Sequence, residues 1–74
     1  MTDIAVVYAV FPDEASARDI ARTVIRQRLA ACANILPACI SIYEWDGKEE
    51  ENAETPVLFK TGADQAQEIG RAHV

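Results

Sequence analysis

Asp46-Gly47 is the strongest short constraint in this 74-residue chain. A two-residue type I′ turn needs positive φ at both central positions, and Asp-Gly meets that demand between two extended runs. The run before it, Cys39-Ile40-Ser41-Ile42-Tyr43-Glu44-Trp45, alternates β-formers across a pleat, with Ile40 and Ile42 on one side and Ser41, Tyr43 and Trp45 on the other. Cys39 shares the side of Ser41. The run after it carries Glu49-Glu50-Glu51-Asn52 and leads into Thr55–Thr61, where Val57, Leu58 and Phe59 predict a strand. A hairpin therefore occupies the middle of the chain. Pro37 cannot donate to a ladder, so it marks a bulge or the point where the strand enters.

The flanks add a second pattern. Ile4-Ala5-Val6-Val7-Tyr8-Ala9-Val10-Phe11 is almost continuously apolar and reads as a strand buried on both faces. Pro12-Asp13 stops it, and Asp13 is placed to cap a helix N-terminus. From Glu14 to about Ala31 the period is helical. Ala17, Ile20, Ala21, Val24, Ile25, Arg28 and Leu29 mark one side, and Arg18, Arg22 and Arg26 line the other. Gly62-Ala63-Asp64 is expected to open a second helix through Ile69. The order β-α-β-β-α matches a ferredoxin-like α+β plan without its last strand and C-terminal helix, with the first and third strands side by side at the centre. The missing strand would pair with the first, so Val6–Val10 is expected as an apolar edge open to aggregation. Alone, the chain is expected to fold poorly.

Size and charge narrow the functions. Domains mostly run to roughly 100–150 residues, so one small soluble domain with a thin core is expected. Seven Lys and Arg against 12 Asp and Glu give a net charge of −5, which argues against nucleic acid as a partner. No apolar run approaches the ~20 residues that span a bilayer, and no basic segment precedes the first strand, so no membrane role and a cytoplasmic location are expected. Cys32 and Cys39 are then reduced thiols, too far apart in sequence for a Cys-x-x-Cys chelate.

Four motifs in this order carry a family resemblance: Pro12-Asp13-Glu14, Arg28-Leu29-Ala30-Ala31-Cys32-Ala33-Asn34-Ile35, Ser41-Ile42-Tyr43-Glu44-Trp45-Asp46-Gly47-Lys48, and Phe59-Lys60-Thr61. Together they resemble the CutA family of divalent-cation tolerance proteins over about the first 64 residues. The resemblance implies a PII-like homotrimer whose hairpin reaches neighbouring subunits, a response to metal ions, copper or other divalent-cation binding, and no catalysis. It also implies copper ligands that are missing here. Ala9 stands where the family's first-strand cysteine would fall, and His73 is not followed by the family's Pro-Tyr. Glu68–Val74 fits neither the resemblance nor an amphipathic helix, and its back-translation GAG ATC GGA AGA GCA CAC GTC reads as a sequencing-library adapter. The expectation is a C-terminally truncated domain over 1–74 with a non-native tail at 68–74.

No residue is assigned as catalytic, cofactor-binding or metal-ligating. Cys32, Cys39 and His73 are expected to be packed or solvated rather than ligating. Glu49, Glu50, Glu51 and Glu54 would hold a hard cation only weakly. Arg18, Arg22 and Arg26 read as a solvated helix face or an anion contact. Tyr43 and Trp45 suit a subunit interface, since aromatics concentrate binding energy, and by analogy Lys60 lines a cleft between subunits. The competing function is a PII-like regulatory module without a metal role. An acylphosphatase-like enzyme is disfavoured, because Phe11-Pro12-Asp13-Glu14 puts carboxylates where an anion-cradling loop belongs.

Overall fold

The computed structural model describes residues 3–62, and the expected second helix and tail lie outside those residues. Along this stretch run β1 (Ile4–Phe11), α1 (Glu14–Arg26), β2 (Cys32–Ile35), β3 (Cys39–Trp45) and β4 (Lys48–Gly62). β4 lies between β1 and β2, antiparallel to both, and its first half pairs with β3. Among the described residues one helix lies over this antiparallel sheet, in the β-α-β-β order with which a ferredoxin-like arrangement begins.

Asp13 caps α1 as its sequence implies. Its extended backbone turns the carboxylate back to accept from the Ser16 N–H at 2.7 Å. Glu14 in the first turn and Arg26 in the last complement the helix dipole. The helix ends at Arg26, before the expected Ala31. Arg28 takes φ 60, its N–H donates to Ile25 O, and the Leu29 N–H donates to Val24 O. Those two bonds are a Schellman closure with arginine at the position that usually holds glycine. Leu29 then leaves the helix and packs partly buried against the core.

The core is thin. Ala17, Ala21 and Val24 of α1 meet Ala9 and Phe11 of β1, Val57 and Phe59 of β4, and Ala30. Alanines on α1 let the helix approach the sheet closely. Buried Thr61 donates its hydroxyl to Leu29 O, which ties the post-helix turn to β4. Among the described residues no buried side-chain polar atom lacks a hydrogen bond.

β1 is not buried on both faces. Ala9 and Phe11 face the helix, but Val6 is 58% and Tyr8 60% exposed on the other side, and Ile4 is more open still. A continuous apolar run cannot distinguish a strand with two covered faces from one whose second face is bare within a single copy.

At Pro37 the ladder slips. Ile35 pairs with Val57 and Cys39 with Glu54, so Leu36, Pro37 and Ala38 stand opposite only Thr55 and Pro56. This bulge re-phases the pleat. Cys32 and Asn34 before it, and Cys39, Ser41, Tyr43 and Trp45 after it, fall by register on the side of the sheet away from α1. The turn that follows has Asp46 at φ 54 and Gly47 at φ 75, with Trp45 paired to Lys48. Beyond the bulge the hairpin projects from the body, giving a molecule of 45 × 23 × 19 Å.

Candidate functional site: an uncovered sheet face, a projecting arm and two clefts

The side of the sheet away from α1 is assembled row by row. Val6, Lys60 and Cys32 form one cross-strand row, and Tyr8, Leu58 and Asn34 form the next. Along the arm the same side carries Ser41, Tyr43 and Trp45. Ser41 donates to Glu54 Oε2 at 2.7 Å, and Asn52 donates to the Tyr43 hydroxyl. The Asn52 bond holds Tyr43 against its own ribbon, while Trp45 stays 70% exposed. The opposite side of the arm exposes Ile40 and, at 66%, Ile42. A ribbon apolar on both faces has more surface than one copy of the chain covers.

Among the described residues the metal-donor side chains do not come together. Cys32 pairs with Lys60 and Cys39 with Glu54. Those partners lie six positions apart on β4, about 20 Å at ~3.4 Å per residue. Both thiols are free and half-buried, and Cys32 Sγ lies 3.7 Å from Asn34 Oδ1. Alternation also splits the acidic run. Glu49 and Glu51 sit opposite Glu44 and Ile42, while Glu50 sits opposite Tyr43 on the other side with Glu54. Ala9, where the resemblance implied a cysteine, is buried under α1 with no donor atom to offer. Among the described residues no three His, Cys, Asp or Glu form a group that could hold a metal. His73 lies outside them. Among the described residues of one copy the donor set does not fit a resident metal.

Two open clefts flank the post-helix turn. One, of about 580 Å³, has Ile4, Ile25 and Leu29 as apolar wall, with Arg28, Lys60 and Asp3 at its rim. Lys60 is exposed there. The second, of about 370 Å³, lies between α1 and β2 and carries Arg18, Arg22 and Arg26 beside Cys32 and Ile35. Periodicity locates the arginine stripe on α1. What it faces needs the crossover, so the groove itself is invisible in the sequence. Asp13 is held below its ordinary carboxylate value, first by the Ser16 backbone hydrogen bond. That shift belongs to the helix cap and to neither cleft. Among the described residues no helix is long and apolar enough to cross a membrane.

The chain's relatives agree with this geometry. Residues 5–73 match the family model described as "CutA1 divalent ion tolerance protein". A divalent-cation tolerance protein CutA of Yersinia pestis (strain Pestoides F) is 44% identical over 64 residues, which cover 86% of this chain and 54% of that protein. The chain thus spans about half the length of the curated relatives it matches. The solved divalent cation tolerance protein of Thermus thermophilus superposes with a TM-score of 0.88 at 38% identity, covering 93% of this chain and 67% of that one. CutA1 from the psychrotrophic bacterium Shewanella sp. SIB1 gives 0.90 at 28% identity, over 96% and 66% of the two chains. A helix packed on an antiparallel sheet, a hairpin turned at Asp46-Gly47 and sequence identity across both parts lead to one conclusion: the chain belongs to the CutA1 divalent ion tolerance protein family.

Proposed function

We propose that this chain serves divalent-cation tolerance in the cytoplasm as a homotrimer, and that its metal response belongs to the assembly rather than to a site inside one copy. One observation carries the reading: the apolar side of the sheet, Ile4, Val6 and Tyr8 with Tyr43 and Trp45 along the same side, is bare in a single copy. At about 25 cal/mol per Å² of apolar surface removed from water, covering rings and branched side chains of this size drives association. Strand edges on β1 and β2 add backbone donors and acceptors to the same end. Copper or another divalent cation is the proposed ligand class. No ligand set is proposed, because the donors among the described residues of one copy do not converge.

Native mass spectrometry joined to copper(II) titration calorimetry tests this reading. The expected result is a trimer mass that falls to a monomer in the Val6→Glu/Trp45→Glu variant, with copper heat present only in the trimer. A monomeric parent chain overturns the assembly. Equal copper heat from the monomeric variant overturns the placement of the metal response. The PII-like regulatory reading draws on the larger cleft, where Arg28 and Lys60 flank an apolar wall. Heat from a nucleotide without heat from copper would favour it.

A further inference from the structure

The turn at the tip of the arm holds a reactive pair that the tolerance reading does not use. We propose that Asp46-Gly47 is a site of spontaneous covalent modification, where the Asp46 backbone isomerises through a succinimide to isoaspartate at a rate set by the opening of the arm. Sequence, exposure and the arm's weak hold on its own turn each support it.

The sequence sets this pair apart. Succinimide closure needs the amide nitrogen of the following residue to attack the side-chain carbonyl carbon, and a side chain on that residue obstructs the approach. Asp3, Asp13, Asp19 and Asp64 precede Ile, Glu, Ile and Gln, and Asn34 and Asn52 precede Ile and Ala. Asp46 alone precedes glycine, whose missing Cβ leaves the nitrogen open.

The fold leaves both residues uncovered. Asp46 and Gly47 are exposed, and nothing lies within 4 Å of a Cβ built at Gly47. The ladder closes at Trp45 and Lys48, so neither turn residue is tied into the strand pairing. Exposed tips of this kind are where a backbone is most open to attack.

The closed turn restrains the reaction without preventing it. Asp46 at φ 54 and Gly47 at φ 75 hold the pair in the left-handed region, and ring closure needs Asp46 to rotate out of it. The arm supplies that freedom. From Lys48 to Ala53 it is exposed throughout, and a ribbon with no covered face opens while the body stays folded. Covering the arm in an assembly slows the opening and leaves the reactive pair the same.

The step balances within the chain. The Gly47 nitrogen bonds to Cγ of the protonated Asp46 carboxyl and gives up its proton. The Cγ–OH bond breaks, and that hydroxyl leaves with the proton as water. Water then adds back at either ring carbonyl. Opening at the side-chain carbonyl restores aspartate, and opening at the main-chain carbonyl gives isoaspartate, with the chain now running through Cβ. Nothing is oxidised or reduced, and the final mass is unchanged. The extra methylene sits in a turn that fixes register, so Trp45 loses its pairing with Lys48. The freed α-carboxylate is the group that isoaspartyl methyltransferases esterify, so carboxyl methylation is the class of reaction that consumes this product.

The test incubates the full 74-residue protein at neutral pH beside the free peptide Tyr-Glu-Trp-Asp-Gly-Lys-Glu. Isoaspartate is labelled at intervals with an isoaspartyl methyltransferase and tritiated S-adenosylmethionine, and peptide mapping locates the label. The protein should gain label at Asp46 at roughly a tenth of the peptide's rate, the open fraction for an opening free energy of about 1.4 kcal/mol. Asp46→Glu should lose the label, since its imide ring is larger and closes far more slowly. Asp46→Asn should gain it faster, with a deamidation mass shift at that residue. In the modified protein, hydrogen exchange should quicken at β3 amides and stay unchanged around Phe59. No label at Asp46 while the free peptide reacts overturns the proposal. Label spread evenly over Asp3, Asp13 and Asp19 overturns the site. A rate equal to the peptide's overturns control by the arm.

Discussion

The two halves of β4 are one continuous strand in two different surroundings. From Thr55 to Gly62 it lies between β1 and β2 under α1, and Thr55, Pro56, Val57, Phe59 and Thr61 are buried. From Lys48 to Ala53 every residue is exposed, and β3 is the only strand it pairs with among the described residues. The inner half is specified by packing, since its alternate residues are in place only if α1 is. The outer half is specified by a turn and a ladder, with almost no buried apolar surface behind it. A two-stranded ribbon without a covered face is marginal in water. The arm is thus the part of the molecule that most needs a neighbour, and the body is the part that holds it out.

The sharpest way to break this contrast is to truncate one large side chain in each half. Phe59 is fully buried, and Phe59→Ala should destabilise the chain by about 3–5 kcal/mol through lost burial and the cavity left behind. Domains of this size have roughly 0.05–0.15 kcal/mol per residue in total, so that loss is comparable to the whole stability. Trp45→Ala should change the intrinsic stability of one copy by no more than about 0.5 kcal/mol, since the ring covers nothing buried. Thermal melts of both variants in dilute solution check the pair. Similar losses in the two would show that the arm is part of the core after all.

Features set by neighbours in sequence are legible before the fold is known, and those set by distant packing are not. Asp46-Gly47 declares its turn because φ is positive at both residues. Asp13 declares its cap, and Pro37 its bulge, through the same local logic. Arg28 hides the end of α1, because only glycine advertises a left-handed residue and arginine does not. The bare side of β1 is hidden too, since Val6 and Tyr8 are as apolar as Val7 and Ala9. At the candidate sites, the acidic run looks like a cluster until register divides Glu49 and Glu51 from Glu50 and Glu54. The arginine stripe is legible from its spacing, and its groove is not, because the β2 edge arrives there through the crossover.

Gly47→Val separates turn from body at a smaller scale. Nothing lies within 4 Å of a Cβ built at Gly47, so the penalty comes from its φ of 75 alone. A β-branched residue in the left-handed region costs about 1–2 kcal/mol. Hydrogen exchange should quicken roughly tenfold at β3 amides, the factor for about 1.4 kcal/mol, and stay unchanged around Phe59. Uniform quickening would mean that arm and body open together.

Arg28→Gly works in the opposite direction and within the body. Relief of the left-handed arginine is worth about 1–2 kcal/mol, and the added freedom of glycine in the unfolded chain takes back about 0.5–1 kcal/mol. The net expectation is a gain of about 0.5–1 kcal/mol. A denaturant midpoint that rises with unchanged slope would confirm it. A fall would mean that the Arg28 side chain stabilises the cleft it borders by more than its backbone costs.

The smallest effect expected belongs to Asp13, and it reports on the body alone. The Ser16 N–H bonds to the charged carboxylate and lowers its affinity for a proton, so the folded value lies below the ordinary one. A group depressed in the folded state contributes stability that is fully present above its unfolded value and disappears as pH falls through its folded value. Asp13→Asn keeps an acceptor at the cap but removes the titration. The stabilities of the two proteins should run parallel near neutral pH and converge, with the parent losing more, only as acid reaches the carboxylate range. The other carboxylates titrate in both proteins, so the difference isolates this one. A difference that stays constant into acid would mean that the asparagine variant caps less well for reasons of geometry and that charge at the helix start contributes nothing. Exchange at the arm amides should be the same in both proteins throughout, because no bond of the cap reaches beyond α1.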